Sequence, residues 1–558
     1  MNKKKITAII LVATMLLLCG CNGVSYDFTF VKDMWKEETV SAKASADMVC
    51  SLVSTTGEVT MDNHLYDTEV TSLSLYDVNK YTVNIKEGGY YNFLIDFYLL
   101  HNGLRDSEVA VTINGDIALE RAPLKALWCT PTEAFKTDSF GNEIVPTQFK
   151  AEKWQSDRLY KYDYLTALPY VFNFKSGENI IEIQLVSGGD TLIGKVAVVA
   201  TQQLTGYSDY IAQYGDMAEG TDDILLEAER PYYKNSSSIN PAYSADINVT
   251  PYDTYASKLN VLSNFSVSTQ KVYYKFSIKD DGLYNITLNY LVSNANRTTF
   301  ATIMLDGEIP FGELTHYPLE PNNEYALHTL GGKQKFSFYL TTGEHMLSIS
   351  IDSSLMKEQL SSLNNITLQL NDIYLDLKKI AGAANDPNRE WNPETDFPGV
   401  TERLQKISTE ISVVLDYLTK VNCANVNHQG IIYLEAAGKA IEGLLKKPNK
   451  IPNNYQQLSE GSGSIVQTIA NAVVNIKESP LSLDKIIATG NSDNIQIELR
   501  GGLFKFWEGT KKFFHSFTAD YTAVTSEKNT VQVWVARSRQ YMDLMQEMVD
   551  TSEYKSKT

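Results

Sequence analysis

Two stretches of the chain alternate apolar and polar residues in the same way. From Tyr81 the sequence runs YTVNIKEGGYYNFLIDFYL, and from Tyr274 it runs YKFSIKDDGLYNITLNYLV. They align without a gap: Tyr81 with Tyr274, Ile85 with Ile278, Gly89 with Gly282, and Tyr91-Asn92 with Tyr284-Asn285. A period of two predicts strand, tight turn and strand in each copy. Downstream, Asn114-Gly115 and Asp306-Gly307 are matching hairpin turns, because these pairs tolerate the positive φ of a two-residue loop. Gly177-Glu178 with IIEIQL then matches Gly343-Glu344 with MLSISI. Between these last markers the offset falls from 192 to 166 residues, so the first copy carries 26 extra residues, within AFKTDSFGNEIVPTQFKAEKWQSDRLYKYDY. Two copies of about 150 residues with regular turns predict two antiparallel sandwiches, over 40–204 and 222–378, with a barrel as the alternative.

Near Ile380 the period changes. Residues 379–400 include AGAANDPNREWNPETDFPG (Ala381–Gly399), a Pro/Gly/Asn linker. Leu404, Ile407, Ile411, Val414, Leu415 and Leu418 then recur at helical spacing. Ile431–Leu445 and Ser464–Ile476 give two further helices, punctuated by Pro448, Pro452 and Pro480. A small helical bundle is expected over 401–490. In 501–524, Phe506, Trp507, Phe513, Phe514, Phe517 and Tyr521 crowd one helical face beside Lys505, Lys511 and Lys512. This reads as an amphipathic connector helix docked on a neighbouring domain; a helix in a membrane interface is the alternative. In 530–558 a strand, Val531–Ala536, runs into a helix, Arg539–Val549. An isolated strand and helix cannot bury their apolar faces, so this unit is expected to be the truncated start of an α/β domain.

The N-terminus adds an address. MNKKK precedes the largely apolar run Ile6–Leu18, too short to span a bilayer in the usual way. Leu18-Cys19-Gly20-Cys21 resembles a bacterial lipobox. The resemblance implies that 1–20 is a lipoprotein signal peptide and that Cys21 is lipidated. The chain would then be anchored on the extracellular face of the cytoplasmic membrane. A plain secretory signal is the alternative. Of the other cysteines, Cys50 and Cys129 could pair or stay as thiols; with Cys423 they are too few for a disulfide scaffold, and thiols are favoured.

Composition narrows the chemistry. The net charge of −18 and the lack of a basic stripe exclude general nucleic-acid binding. Tyrosine is abundant, 33 residues against 21 Phe and 6 Trp, which suits strands and wet binding surfaces alike. The seven His are spread singly, and no HExxH, GxSxG or phosphate-binding glycine loop is present, so no catalysis is expected.

The second copy opens ILLEAER (Ile224–Arg230), and ITLQLNDIYLDL (Ile366–Leu377) reads as its closing strand. An opening Glu-Ala-Glu strand with a closing Asn-Asp-Ile-Tyr strand resembles the carbohydrate-binding modules of families 6 and 35, which are galactose-binding-like jelly rolls. The resemblance implies a structural calcium held by Glu227, Glu229 and Asp372. Glu227 and Glu229 lie two apart and share a strand face, as a calcium site needs; two solvated glutamates on an edge strand are the bland alternative. It also implies sugar binding by loops. Tyr243, Tyr252 and Tyr255 are candidates to stack on a pyranose, and Asn294, Asn296 and Arg297 to bond hydroxyls; ordinary loop residues are the alternative.

VQVWVARSRQYMDLMQEMV resembles the first strand and helix of extracellular solute-binding proteins of sugar-type ABC transporters. The whole is expected to be multidomain: two all-β jelly-roll sandwiches, a small α-helical bundle and an incomplete α/β start. The resemblance implies a surface lipoprotein that captures carbohydrate beside an ABC permease. The non-catalytic part of a glycoside hydrolase and a structural or adhesive spacer are the alternatives.

Overall fold

The computed structural model describes residues 27–36, 50–51, 70–490 and 502–516, apart from loop positions 102, 104, 132, 139, 163–164, 293–295 and 383–388. The expected signal segment 1–20, Cys21, Asn294 and the unit 530–558 lie outside the described residues. Among the described residues no helix is long and apolar enough to cross a membrane.

Both predicted sandwiches form. In the first, a four-stranded sheet (Val78–Ile85, Gly177–Ser187, Ser107–Ile113, Asp116–Leu124) faces a sheet built on Gly89–Leu99 and Thr191–Ala200. Alternate residues fill the space between them, among them Phe93, Ile95, Phe97, Ile181, Ile183, Val196 and Val198. The hairpin turns are as the sequence requires: Asn114 and Gly115 have φ 56° and 90°, and Asp306 and Gly307 have φ 52° and 84°. The second sandwich repeats the plan, with Lys271–Ile278, Gly343–Asp352 and Thr299–Leu305 in one sheet and Gly282–Leu291 in the other.

The closing strand of the second sandwich is a correction. Ile366–Leu377 is not a strand but part of the helix Lys357–Ala381. Leu360, Leu363, Ile366, Leu370, Ile373 and Leu377 recur every three or four residues and are all buried in the helical core. The helical period therefore overrides the local alternation of Ile373, Leu375 and Leu377. The sandwich is closed instead by Leu481–Thr489, which pairs antiparallel with Asp223–Glu227, Leu259–Phe265 and Gly282–Leu291. Thr191–Ala200 closes the first sandwich in the same way, against Gly89–Leu99.

Residues 353–480 are thus an insertion within the second sandwich rather than a domain after it. They form four main helices, Lys357–Ala381, Val400–Val421, Gln429–Leu445 and Ile465–Lys477, around one core. The last three match the expected elements. The supposed linker 379–400 connects two helices of the bundle, and its Trp391 and Phe397 are buried in the core. The two ends of the insertion meet, with Ser353 Oγ 3.5 Å from Ser479 Oγ.

The 26-residue insert of the first copy joins the two sandwiches. Trp128–Cys129 pairs with Phe149–Lys150, and Trp128 pairs with Lys234 of the second copy, extending that copy's sheet. Cys129 and Cys423 are free thiols. The connector is helical over Gly502–Ser516.

Candidate functional site

The opening strand of the second sandwich ends at Glu227, and its neighbour in the sheet is the closing strand. This pairing brings acids together. The Ala228 amide donates to the Asp484 carbonyl at 2.9 Å, so Glu227 and Glu229 flank Asp484. Asp484 is fully buried, and Asn289 Nδ2 donates to its Oδ2 at 2.6 Å. Its Oδ1 and the Oε2 of Glu229 are buried without a hydrogen-bond partner. Burial pushes the Glu229 carboxyl up to about 8 and the Asp484 carboxyl up to about 6, because a desolvated carboxylate is disfavoured. The nearest cation is the side chain of Lys485, whose Nζ donates to Glu227 Oε2 at 2.6 Å and to the Thr250 carbonyl at 3.0 Å, and lies 3.7 Å from Asp484 Oδ1.

Asp372 does not join this cluster. It sits on the helix Lys357–Ala381 of the inserted bundle, so the acid carried over from the closing strand is replaced by Asp484. Among the described residues no group of three or more His, Cys, Asp and Glu is spaced to hold a metal ion as the chain stands, with the Lys485 ammonium among the carboxylates. The buried oxygens of Glu229 and Asp484 that lack a hydrogen-bond partner are carboxylate oxygens, the kind of donor a hard cation takes.

A groove beside these acids is lined by Phe135, Glu143, Glu227, Glu229, Thr250 and Leu259. Its wall is supplied by both copies. The insert of the first folds over the loop of the second: Glu143 N donates to the Ser257 carbonyl at 2.9 Å, and Glu143 Oε2 accepts from Leu259 N at 2.8 Å. Asn142 Oδ1 accepts from Ser257 N at 2.8 Å. Arg230 stacks over Phe135, 3.9 Å from the ring centroid, and donates to the Glu133 carbonyl.

The predicted sugar-binding residues are divided by this arrangement. Tyr243 ends a strand paired with Leu259 and is exposed, as is Tyr255 at 57%. Asp253 accepts from the amides of Tyr255 and Ala256, which fixes the turn that presents Tyr255 and holds the Asp253 carboxyl below its usual range. Tyr252 is half-buried beneath the connector helix, with Lys512 Nζ 5.4 Å from its ring and Thr254 Oγ1 donating to Glu508 at 2.6 Å. The connector therefore docks on the second sandwich through a polar face, while Trp507 and Phe513 stay exposed.

Asn296 and Arg297 belong elsewhere. The Asn296 carbonyl accepts from Asn422 Nδ2 at 2.9 Å, and the buried Arg297 donates to the Asn475 carbonyl; both partners are in the helical insertion. These residues fasten sandwich to bundle and do not line the acidic groove. Sequence reasoning missed Asp484, Lys485 and Glu143. The signal for the first two was the repeat itself, because Gly194-Lys195-Val196 of the first closing strand aligns with Asp484-Lys485-Ile486 of the second.

Residues 358–476 match a family model described as bacterial solute-binding protein, 4-helix bundle domain. No curated protein matches the chain. Among solved structures, similarity is found to a family 35 carbohydrate binding module from Clostridium thermocellum, at 13% identity and TM-score 0.15, over 27% of this chain and 88% of that one. The CBM36-1 domain of a multidomain xylanase from the hindgut metagenome of Trinervitermes trinervoides matches at 14% identity and TM-score 0.16, over 28% and 98%. A Paenibacillus xanthan lyase matches at 10% identity and TM-score 0.15, over 52% of this chain and 22% of that one. The helices that interrupt the second sandwich are thus the part of the chain that resembles the four-helix bundle domain of bacterial solute-binding proteins.

Proposed function

We propose that this chain is the glycan-capturing part of an extracytoplasmic solute-binding lipoprotein that serves an ABC permease, and that it holds its ligand without cleaving it. The observation that carries this reading is the insertion. The solute-binding bundle leaves the second sandwich after Asp352 and the chain returns to it at Leu481, so the bundle is tethered to the sandwich at both of its ends. The exposed Tyr243 and Tyr255 beside a groove with acids and a carbonyl supply flat apolar faces and hydrogen-bonding groups, which suits a pyranose. A structural calcium at Glu227, Glu229 and Asp484 would have to draw the three carboxylates together and displace the Lys485 ammonium; so placed, it would tie the opening strand to the closing one.

Two measurements test the reading. On a glycan array followed by calorimetry, the whole chain is expected to bind a defined glycan set. Tyr255→Ala should weaken that binding about tenfold or more with an unchanged melting temperature, since one exposed stacking ring is lost and no core contact. Silence across plant, mucin and microbial glycans would leave a spacer role instead. In bacteria expressing the chain, labelled palmitate is expected on the protein in the membrane fraction, and Cys21→Ser should remove the label and release the protein. Label retained on the Cys21→Ser variant would refute the anchor at this position.

A further inference from the structure

The outward face of the second sandwich is not open to solvent where the first sandwich covers it. Along Lys271–Ile278, the alternate residues Val272, Tyr274 and Phe276 point into the core. Lys271, Tyr273 and Lys275 therefore point the other way, as the strand period demands. Opposite them stand Asp157, Arg158 and Tyr160 of the first sandwich, and together they line a cleft of about 770 Å³ between the two copies. That volume lies within the range of small-molecule sites, roughly 300–1,000 Å³.

Two cations in this cleft are under-satisfied. Lys271 is buried, 8% exposed, and its Nζ lies 5.4 Å from the Tyr160 ring centroid and 5.8 Å from that of Tyr273. The polar atom within its reach is Sδ of Met304 at 3.9 Å, a weak acceptor. Arg158 donates through Nη2 to Glu308 at 2.7 Å, but its Nε is buried without a partner. Burial depresses the Lys271 ammonium, Asp157 opposes this, and the neighbouring Arg158 adds to the depression. The other acids of the cleft are engaged: Glu344 pairs with Lys275 at 3.0 Å, and Asp306 with His345 at 2.7 Å. A buried ammonium without oxygen acceptors is costly unless an anion or water completes its shell.

We propose that the inter-sandwich cleft is a second binding site, specific for the carboxylate of an acidic saccharide, with Lys271 and Arg158 holding the carboxylate and the rings of Tyr160 and Tyr273 flanking the sugar. A carboxylate supplies acceptors for both orphan donors, and a tyrosine-walled space of this size suits one or a few sugar rings better than a bare ion. The site shares no lining residue with the acidic groove, so it goes beyond the reading above and can stand or fall separately.

The test is calorimetry on the whole chain with glucuronate, galacturonate and their short oligomers, beside glucose, galactose, sulfate and inorganic phosphate. A uronate or its oligomer is expected to bind while the neutral sugars and inorganic anions do not. Lys271→Met should weaken binding about tenfold or more without lowering the melting temperature, because it replaces an incompletely paired buried charge by an apolar side chain of similar length. Arg158→Met should weaken it likewise. Absence of uronate binding, equal binding of the neutral sugars or of phosphate, or full binding by a folded Lys271→Met variant would each overturn the proposal.

Discussion

A fragment spanning residues 222–378 is expected not to fold, whereas 222–490 is expected to unfold in one cooperative transition. The shorter piece contains every strand that the second copy contributes to its own sandwich but Leu481–Thr489, and that strand touches three others. Its Leu481, Leu483 and Ile486 are fully or nearly buried and belong to the sandwich core. Omitting it strips the backbone partners from Asp223–Glu227 and Gly282–Leu291 and opens the core, a loss far above the stability margin of a domain, roughly 5–15 kcal/mol. Within the longer piece, Leu483→Ala should cost about 2–5 kcal/mol, as for buried leucines elsewhere. The insertion itself should be dispensable for the sandwich. Its ends meet at Ser353 and Ser479, and the first copy bridges the same gap with Gly188-Gly189-Asp190. Replacing 354–479 by Gly-Gly-Asp is therefore expected to leave a folded sandwich, seen by circular dichroism and a single thermal transition. A cooperative transition in 222–378 would refute the assignment of the closing strand.

The reason this strand escapes a sequence reading is instructive. Ile373, Leu375 and Leu377 alternate as a strand would, and the preceding Asn-Asp adds to the impression. Yet Leu375 is half exposed, while Leu370, Ile373 and Leu377 are buried in the bundle. Only the longer window, back to Leu360, separates the helical period from the strand period. The first copy is legible because its closing strand follows after a three-residue turn; in the second copy a whole bundle intervenes. The individual bundle helices were legible for the usual reason, apolar stripes ended by Pro and Gly. The division of the site was not. Arg297 looks like a loop residue reaching for sugar, but its surroundings come from residues 422 and 475, which local pattern does not connect to it. Lys271, Tyr273 and Lys275 read as a solvated strand face, and they become a cleft wall because a second sandwich docks there.

Raising the pH from about 5 to about 8 in chelator is expected to destabilise the second sandwich, and calcium is expected to restore it. The sign follows from two carboxyls. Glu229 stands at about 8 in the folded chain against an ordinary 4.5, and Asp484 at about 6 against 3.8, both raised by burial. The folded state therefore binds more protons than the unfolded one between about pH 4 and 8, and stability falls as pH rises through that window. The Asp484 contribution is complete by about pH 6, and that of Glu229 continues to about pH 8. The combined loss is on the order of a few kcal/mol. A calcium ion supplies the positive charge that the unpartnered oxygens lack, so it should raise the melting temperature at pH 8 and do little at pH 5, where both acids hold protons. Glu229→Gln should flatten the pH profile above pH 6 and remove most of the calcium effect, and Asp484→Asn should make the part below pH 6 shallower while leaving the Glu229 slope up to about pH 8. A wild-type melting temperature that stays level from pH 5 to 8 in chelator would sink the buried-acid account. A calcium effect that survives in the double variant would place the ion on other residues.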